Sequence, residues 1–419
     1  MVPLRGARRP LAAVALASVL ALAACAGAVD ARNASPPASG DGVLRLGLLL
    51  DSTGESQYLN DAQRAAVVLA VQQANAAGGF GGKPVEMLPP ETGSDMEAAA
   101  RHLIAAGADA VIGPTDSGHA RTAIDVLSLA KVPLISPANT AASLSTYRSG
   151  GYYFRTAAPE GAEGAALVEL ARRAGAKSIA ILHQAGDHGK AEADGASAAA
   201  RAVGLKETGS TEFTGHAAGA AAGGAKVADA VVLIAQTEGQ AILAGVRDAG
   251  VPGSRLLLSS GLLGRYGPAL ANRALEGAKA VVPGVFPDSE FQSAVLEHAP
   301  GLTDMTFAAE AYDAASLAIL SAGAAKDDGG PSIASKLVSV SGGSVQGNGS
   351  VQGNGQREKC TGLPACLASQ AKGTSVDYDG QSGPIAFDSH GDVTTARFMV
   401  FGFGADNLPT RNDEVTVTQ

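Results

Sequence analysis

Ser117 and the loop Ala138–Thr140 are the residues whose types and spacing most plainly point to chemistry. ADAVIG (108–113) and VPLIS (132–136) are short apolar runs of the kind that form buried parallel strands. Between them, Pro114–Gly118 carries turn residues, and Ser117 can cap the helix that follows. Ala123, Ile124, Leu127 and Ala130 recur at helical spacing, so one face of that helix packs on a sheet. Pro137 ends the second strand. The loops Thr115–Ser117 and Ala138–Thr140 therefore leave the carboxyl ends of neighbouring parallel strands, where open α/β sheets bind ligands. A helix starting at Ser117 offers free N–H groups that favour an anion such as a carboxylate.

Catalytic chemistry finds no comparable support. The chain has no G-x-G-x-x-G opening a helix, no G-x-x-x-x-G-K-[ST], no H-E-x-x-H and no G-x-S-x-G elbow. Its seven histidines are scattered without ligand spacing, and His183, within a strand, reads as a core histidine. No enzyme, metal or cofactor is expected. The formal charge of −9 argues against nucleic acid or anionic lipid surfaces as partners.

The elements that must position these loops follow in order. Arg5, Arg8 and Arg9 precede an apolar run from Leu11 to Ala24, shorter than the roughly 20 residues of a membrane span. The pattern is that of a signal peptide over residues 1–24. Leu22-Ala23-Ala24-Cys25 resembles a lipobox, implying cleavage before Cys25 and lipid on that residue. Removal takes three arginines and no acid, leaving a formal charge of −12. Residues 25–42 read as a lipidated flexible tether, since DARNASPPASGD lacks apolar periodicity. Val43–Leu50 is the first strand, Asn60–Asn75 a helix, PVEMLPPE a strand and Asp95–Ala106 a helix. A second series of strands and helices begins at Glu160 and ends at the strand Lys279–Pro283. Two further helices follow, Glu290–Glu297 and Phe307–Ala324, the latter with Tyr312 on its apolar, core-packing face. The alternation predicts α/β architecture with parallel, doubly wound sheets and right-handed crossovers. SVQGNGSVQGNG (344–355) is a tandem duplication read as a flexible surface insertion. Cys25 aside, Cys360 and Cys366 remain, lacking CxxC spacing. They form either a local disulfide or two unpaired thiols on a mobile loop.

Several motifs in order carry a family resemblance: LLLDSTG, NAAGGFGGKPVE, the stretch 108–140, YYFRTAAP, KSIAILHQAGDHG, AEAYDAASLAIL and YDGQSGPIAFDSHGDVTTARFMVFGF. Together they resemble the leucine/isoleucine/valine-type binding proteins of ABC importers, over roughly Val43 to Phe403. The resemblance implies a type I periplasmic-binding-protein fold of two doubly wound lobes joined by a three-strand hinge. It implies lobe 1 from residues 43–158 plus 283–385 and lobe 2 from 159–282 plus 386–404, with 405–419 a C-terminal tail. The chain would cross between lobes near Ala158, Val282 and Ile385.

For a free amino acid the resemblance implies hydroxyls from Ser117 and Thr140, backbone groups from Ala138 and an aromatic wall at Tyr58. The second lobe departs from the pattern. His188 stands where leucine-type relatives often carry a tyrosine before the glycine of DxxYG. Gln236 stands where they place an aromatic residue after DAVVL, and Ser260 where an acid often meets the ligand's ammonium. The ammonium then falls to Asp187 or Glu238, or the ligand has no amine. The resemblance thus implies a lipid-anchored solute-binding protein that delivers a small polar metabolite, foremost a branched-chain or other aliphatic amino acid, to ABC permease subunits. A ligand sensor docking to a membrane receptor or kinase would need the same two-lobed clamp.

Overall fold

The computed structural model describes residues 30–51, 57–344 and 357–418. Cys25, the signal segment, most of the Thr53–Gln57 loop and all but the first residue of the 344–355 duplication lie outside the described residues.

The first series of apolar runs forms β1 (Arg45–Asp51), α1 (Asn60–Ala76), β2 (Glu86–Met87), β3 (Glu91–Gly93), α2 (Met96–Ala105), β4 (Ala110–Ile112), α3 (Ser117–Leu129), β5 (Leu134–Ser136) and β6 (Tyr153–Arg155). These strands make a parallel sheet in the order β2-β1-β4-β5-β6, with β3 also paired to β1. PVEMLPPE is two short strands rather than one. Pro89 and Pro90 interrupt it, each lacking the N–H a continuous ladder needs.

The second series gives α4 (Glu160–Arg173), β7 (Ser178–Gln184), α5 (Asp187–Val203), β8 (Lys206–Phe213), α6 (Ala218–Ala221), β9 (Ala230–Ile234), α7 (Gly239–Asp248), β10 (Leu256–Leu258) and β11 (Lys279–Pro283). Its sheet runs β8-β7-β9-β10-β11 in parallel. In both sheets the strand order reverses beside the first strand of the series, next to β1 and next to β7. Crevices at the carboxyl ends open at such points.

After β11 the chain returns to the first sheet. Phe291 and Val295 of α8 (Ser289–His298) and most of α9 (Ala308–Ala325) are buried with β1 and α1 in one core. Tyr312 packs there edge-on to Phe291, with its hydroxyl on Gln73. α10 (Gly330–Val340), β12 (Glu358–Thr361), α11 (Leu363–Ala371) and β13 (Val376–Asp379) join the same core, and Cys360 and Cys366 are linked by a disulfide.

Two expectations are corrected and a third is refined. The last crossing falls after Val393, which packs in the first core, whereas Ala396 packs in the second. Residues 386–393 thus stay with the first sheet, and the crossing is not at Ile385. The described part of the C-terminal tail, residues 405–418, is joined to the second sheet. β14 (Thr395–Phe403) pairs antiparallel with β11, and β15 (Pro409–Thr418) pairs antiparallel with β14. Val415 and Val417 alternate inward, which holds β15 in register. Residues 30–42 are docked rather than free. The Arg32 guanidinium donates to the Tyr153 and His390 carbonyls, both at 2.6 Å, and lies over the Phe154 ring. Asp327 and Asp328 accept backbone N–H groups from residues 39–43.

Candidate functional site

The two loops of the first sheet are held from beneath. Asp51, at the carboxyl end of β1, is fully buried. Its Oδ2 accepts the N–H groups of Thr115 (2.9 Å) and Asp116 (2.8 Å), and its Oδ1 lies 2.6 Å from His119 Nδ1. Ser136 Oγ donates to the Pro114 carbonyl at 2.8 Å, and Asn139 Nδ2 donates to the Pro114 and Thr115 carbonyls at 3.1 and 2.9 Å. The loops after β4 and β5 are therefore tied to each other.

Arg155, at the end of β6, pins the second loop from the side. It is fully buried and donates to the carbonyls of Asn139 (3.1 Å) and Ala141 (2.9 Å) and to Ser145 Oγ (2.6 Å). Its Nε and Nη2 make a fork onto Asp392 at 2.7 and 2.9 Å. A buried guanidinium is tolerable only when paired and fully hydrogen-bonded in this way. Burial opposes both charges, but their mutual attraction wins, raising the arginine's pKa and lowering the aspartate's.

On this platform Ser117 is the first residue of α3, not its cap. Asp116 caps the helix, accepting the Gly118 N–H at 2.7 Å. The Ser117 hydroxyl accepts the Ala141 N–H at 3.3 Å, so it reaches the loop of Ala138 and Thr140. Ala138 is buried and its N–H contacts Ser136 Oγ at 3.3 Å. The Thr140 carbonyl accepts the Glu160 N–H at 2.9 Å, which carries the site across to the second sheet.

There, α4 and α5 approach at glycine. A Cβ on Gly164 would lie 2.0 Å from the Glu192 carbonyl, and one on Gly195 would lie 2.2 Å from that of Gly161. This contact gathers acids from two helices around one imidazole. His188 Nδ1 is 3.0 Å from Glu160 Oε1, and His188 Nε2 is 2.8 Å from Glu192 Oε1. The second contact is close but not aligned for a hydrogen bond, and both Glu192 oxygens are buried without one. Glu163 accepts the Ser260 N–H at 2.5 Å and its hydroxyl at 3.1 Å. Gly261 then fits against the backbone of Ala235 and Gln236, where a Cβ would lie 2.3 Å from the Ala235 carbonyl.

Burial lowers the His188 pKa, but Glu160 and Glu192 outweigh it and push it up to about 10. Burial raises the Glu160 pKa, yet the imidazolium and the Ala142 N–H bring it below the usual range. Glu163 is raised by burial and by the neighbouring Glu192, and Glu192 chiefly by its own burial. The group is therefore an imidazolium–carboxylate pair beside two carboxyls that favour the protonated form.

Contacts thus connect Ser117, the Ala138–Thr140 loop and His188 by way of Glu160, while Ser260 is held by Glu163 of the same helix. Gln236 is exposed, its N–H donated to Gln184 Oε1 at 3.1 Å. Tyr58 is 64% exposed, with a hydroxyl pKa raised by partial burial and by Asp304; no contact of its side chain joins it to this set. Asp187 and Glu238 are exposed, and the acids within the site are Glu160, Glu163 and Glu192. Beside Thr140 a cavity of about 20 Å³ is lined by Thr156, Glu310, Ser382 and Arg397, and burial pushes the Glu310 carboxyl up to about 8. Among the described residues no cluster suited to a metal occurs, and no helix is long and apolar enough to cross a membrane.

Residues 43–392 match the periplasmic binding protein family, and the chain belongs to it. A leucine-, isoleucine-, valine-, threonine- and alanine-binding protein of Pseudomonas aeruginosa is 28% identical over 151 residues, 35% of this chain and 40% of that one. The match thus spans about two fifths of that relative's length. A substrate-binding protein of a chemotactic signal transduction system in Halobacterium salinarum, BasB, is 30% identical over 71% of this chain and 73% of that one. Among solved structures, a putative branched-chain amino acid ABC transporter protein of Rhodospirillum rubrum superposes with a TM-score of 0.65. It is 21% identical and covers 88% of this chain and 100% of that one, a likeness of fold.

Proposed function

We propose that this chain is a lipid-anchored, extracytoplasmic solute-binding protein. It closes its two sheet units on a branched-chain or other aliphatic amino acid and delivers it to an ABC importer. The observation that carries the reading is the convergence of two rims. The hydroxyls of Ser117 and Thr140 stand at the carboxyl ends of one sheet, and Glu160, Glu163, His188 and Ser260 stand at those of the other. One rim suits a carboxylate and the other an amine, the two ends of an amino acid. Ala138 contributes backbone groups, Gln236 and Tyr58 line the outer mouth, and the three crossings serve as the hinge. The names of the Pseudomonas and Rhodospirillum relatives favour the same ligand class and the transport role.

A thermal-shift screen over amino acids, short peptides, ureas and aromatic acids tests the ligand. At 100 times its dissociation constant the true ligand stabilises the protein by about 2.7 kcal/mol. A shift with aromatic acids and none with amino acids would contradict the reading. The anchor is tested by Cys25→Ser, which should abolish partition into detergent; unchanged partition would contradict it. The Halobacterium relative supports a second reading, a sensor docking to a membrane receptor. Uptake of the ligand lost on deletion of the gene favours transport, and taxis lost with uptake kept favours sensing.

A further inference from the structure

Docking of residues 30–43 shortens the link between the fold and Cys25. Asp30 caps a turn at Ala31–Asn33, and the Ala31 N–H donates to the Gly150 carbonyl at 2.9 Å. A Cβ on Gly151 would lie 2.3 Å from Asp30 Oδ1, so the loop before β6 admits the segment only because glycine stands there. From Asp30 back to Cys25 is five residues, which extended reach at most about 18 Å. The face beside Asp30 is held within that distance of Cys25.

That face is the amino end of the first sheet. Between the docked segment and the end of α3 lies a concavity of about 1040 Å³. Ala34, Pro36 and Pro37 line one side of it, and Leu129, Lys131 and Arg148 the other. Leu129 is 86% exposed, the most of any large apolar side chain among the described residues. A second groove of about 680 Å³, between α2 and α3, opens on Leu129 from its other side through Ile104 and Val126. Lys131 and Arg148 are exposed, and the only acid lining the first concavity, Asp125, accepts the Tyr147 hydroxyl at 3.0 Å. The chain as a whole is acidic, so a face with more cations than acids is the one an anionic lipid surface does not repel.

We propose that this amino end of the first sheet is a membrane-docking face, resting on the phospholipid surface that anchors Cys25. Leu129 enters the headgroup layer, and Lys131 and Arg148 meet lipid phosphates. The inference rests on the reading of Cys25 as lipidated. The lipid keeps the face at the surface, so a contact too weak to hold free protein suffices once the chain is tethered. The first turn of α4 meets loops at the carboxyl ends of both sheets, at Thr140 and at Ser260, so their amino ends point to opposite poles. Val227, 78% exposed at the amino end of the second sheet, is then turned away from the membrane.

The chain has no tryptophan, so Leu129→Trp and Val227→Trp each give a single fluorescent probe at an exposed site. Each full-length variant is purified from membranes and checked by mass spectrometry for lipid on Cys25. It is then reconstituted in vesicles of phosphatidylcholine and phosphatidylglycerol with brominated acyl chains, whose bromine quenches tryptophan only at close range. Leu129→Trp should be quenched several-fold more than Val227→Trp. Adding Lys131→Glu and Arg148→Glu should remove most of that difference. Equal quenching at the two positions, or quenching untouched by the charge reversals, would overturn the inference, while lipid on Cys25 would keep the anchor reading standing. Emission shifted to the blue without quenching would put a protein on this face and overturn it too. A chain without lipid would overturn both. If circular dichroism shows Leu129→Trp unfolded, Pro37→Trp on the facing wall takes its place, with the same results expected.

Discussion

Replacing Arg155 with methionine should separate the platform of the site from its ligand groups. The guanidinium is fully buried and pairs with Asp392 through two bonds of 2.7 and 2.9 Å. Removing one partner of such a pair leaves the other charge uncompensated, at a cost of about 3–5 kcal/mol. The carbonyls of Asn139 and Ala141 lose their donors in the same step, so the loop carrying Ala138 and Thr140 loosens. The chain has no tryptophan, so urea unfolding is best followed by far-ultraviolet circular dichroism. Arg155→Met should lose about 3–5 kcal/mol. Adding Asp392→Leu should recover more than half of that, because the unpaired carboxylate is gone. Ligand affinity should stay low in the double variant, since the loop still lacks its two anchors. A single variant within about 0.5 kcal/mol of wild type, or a double variant with full affinity, would refute the reasoning.

The docked segment at residues 30–43 depends on Asp328, which accepts N–H groups of Asp41, Gly42 and Val43. Asp328→Ala should cost about 2–3 kcal/mol and expose the segment to limited proteolysis; unchanged cleavage would contradict the docking. Glu310 is held up to about 8 by burial, above its ordinary 4.5. The folded protein therefore binds the extra proton between those values, and stability falls as pH rises from about 5 to about 8. Glu310→Gln should flatten that slope by up to about 4 kcal/mol, and an unaltered slope in urea titrations at pH 5 and 8 would contradict it. Thiol titration of the unreduced, unfolded chain should find neither Cys360 nor Cys366 free. Their joint replacement by alanine should cost about 2 kcal/mol by the chain-entropy relation for so short a loop.

Periodicity made much of this architecture legible. ADAVIG, VPLIS and DAVVLI are continuous apolar runs because both faces of their sheets are covered. What escaped was decided by partners distant in sequence. The segment 30–42 looks like a tether because its holding contacts come from Asp327 and Asp328, nearly three hundred residues away. β15 reads as a C-terminal tail because only Val415 and Val417 alternate inward on an edge strand. Ser117 was legible as a helix start, but Asp116 took the cap, since its carboxylate reaches the Gly118 N–H. The acids Glu160, Glu163 and Glu192 escaped because they sit on helices, not on the loops that leave the strand ends. A signal was present: Glu163 stands among Ala162, Ala166, Leu167 and Leu170, on a face that has to be buried. An acid on such a face must have a partner.

The central claim is that an amino acid's carboxylate lies at Ser117 and Thr140. Calorimetric titration of the ligand into wild type, Ser117→Ala, Thr140→Ala and the double variant, with ligand-free stability measured alongside, tests it most directly. Ser117 is not the α3 cap, so neither hydroxyl is needed for the helix, and stability should hold in all three variants. Each single loss should weaken binding about 10- to 150-fold, the effect of deleting a bond to a charged group. Affinity kept in the double variant would contradict the account and put the ligand elsewhere in the molecule.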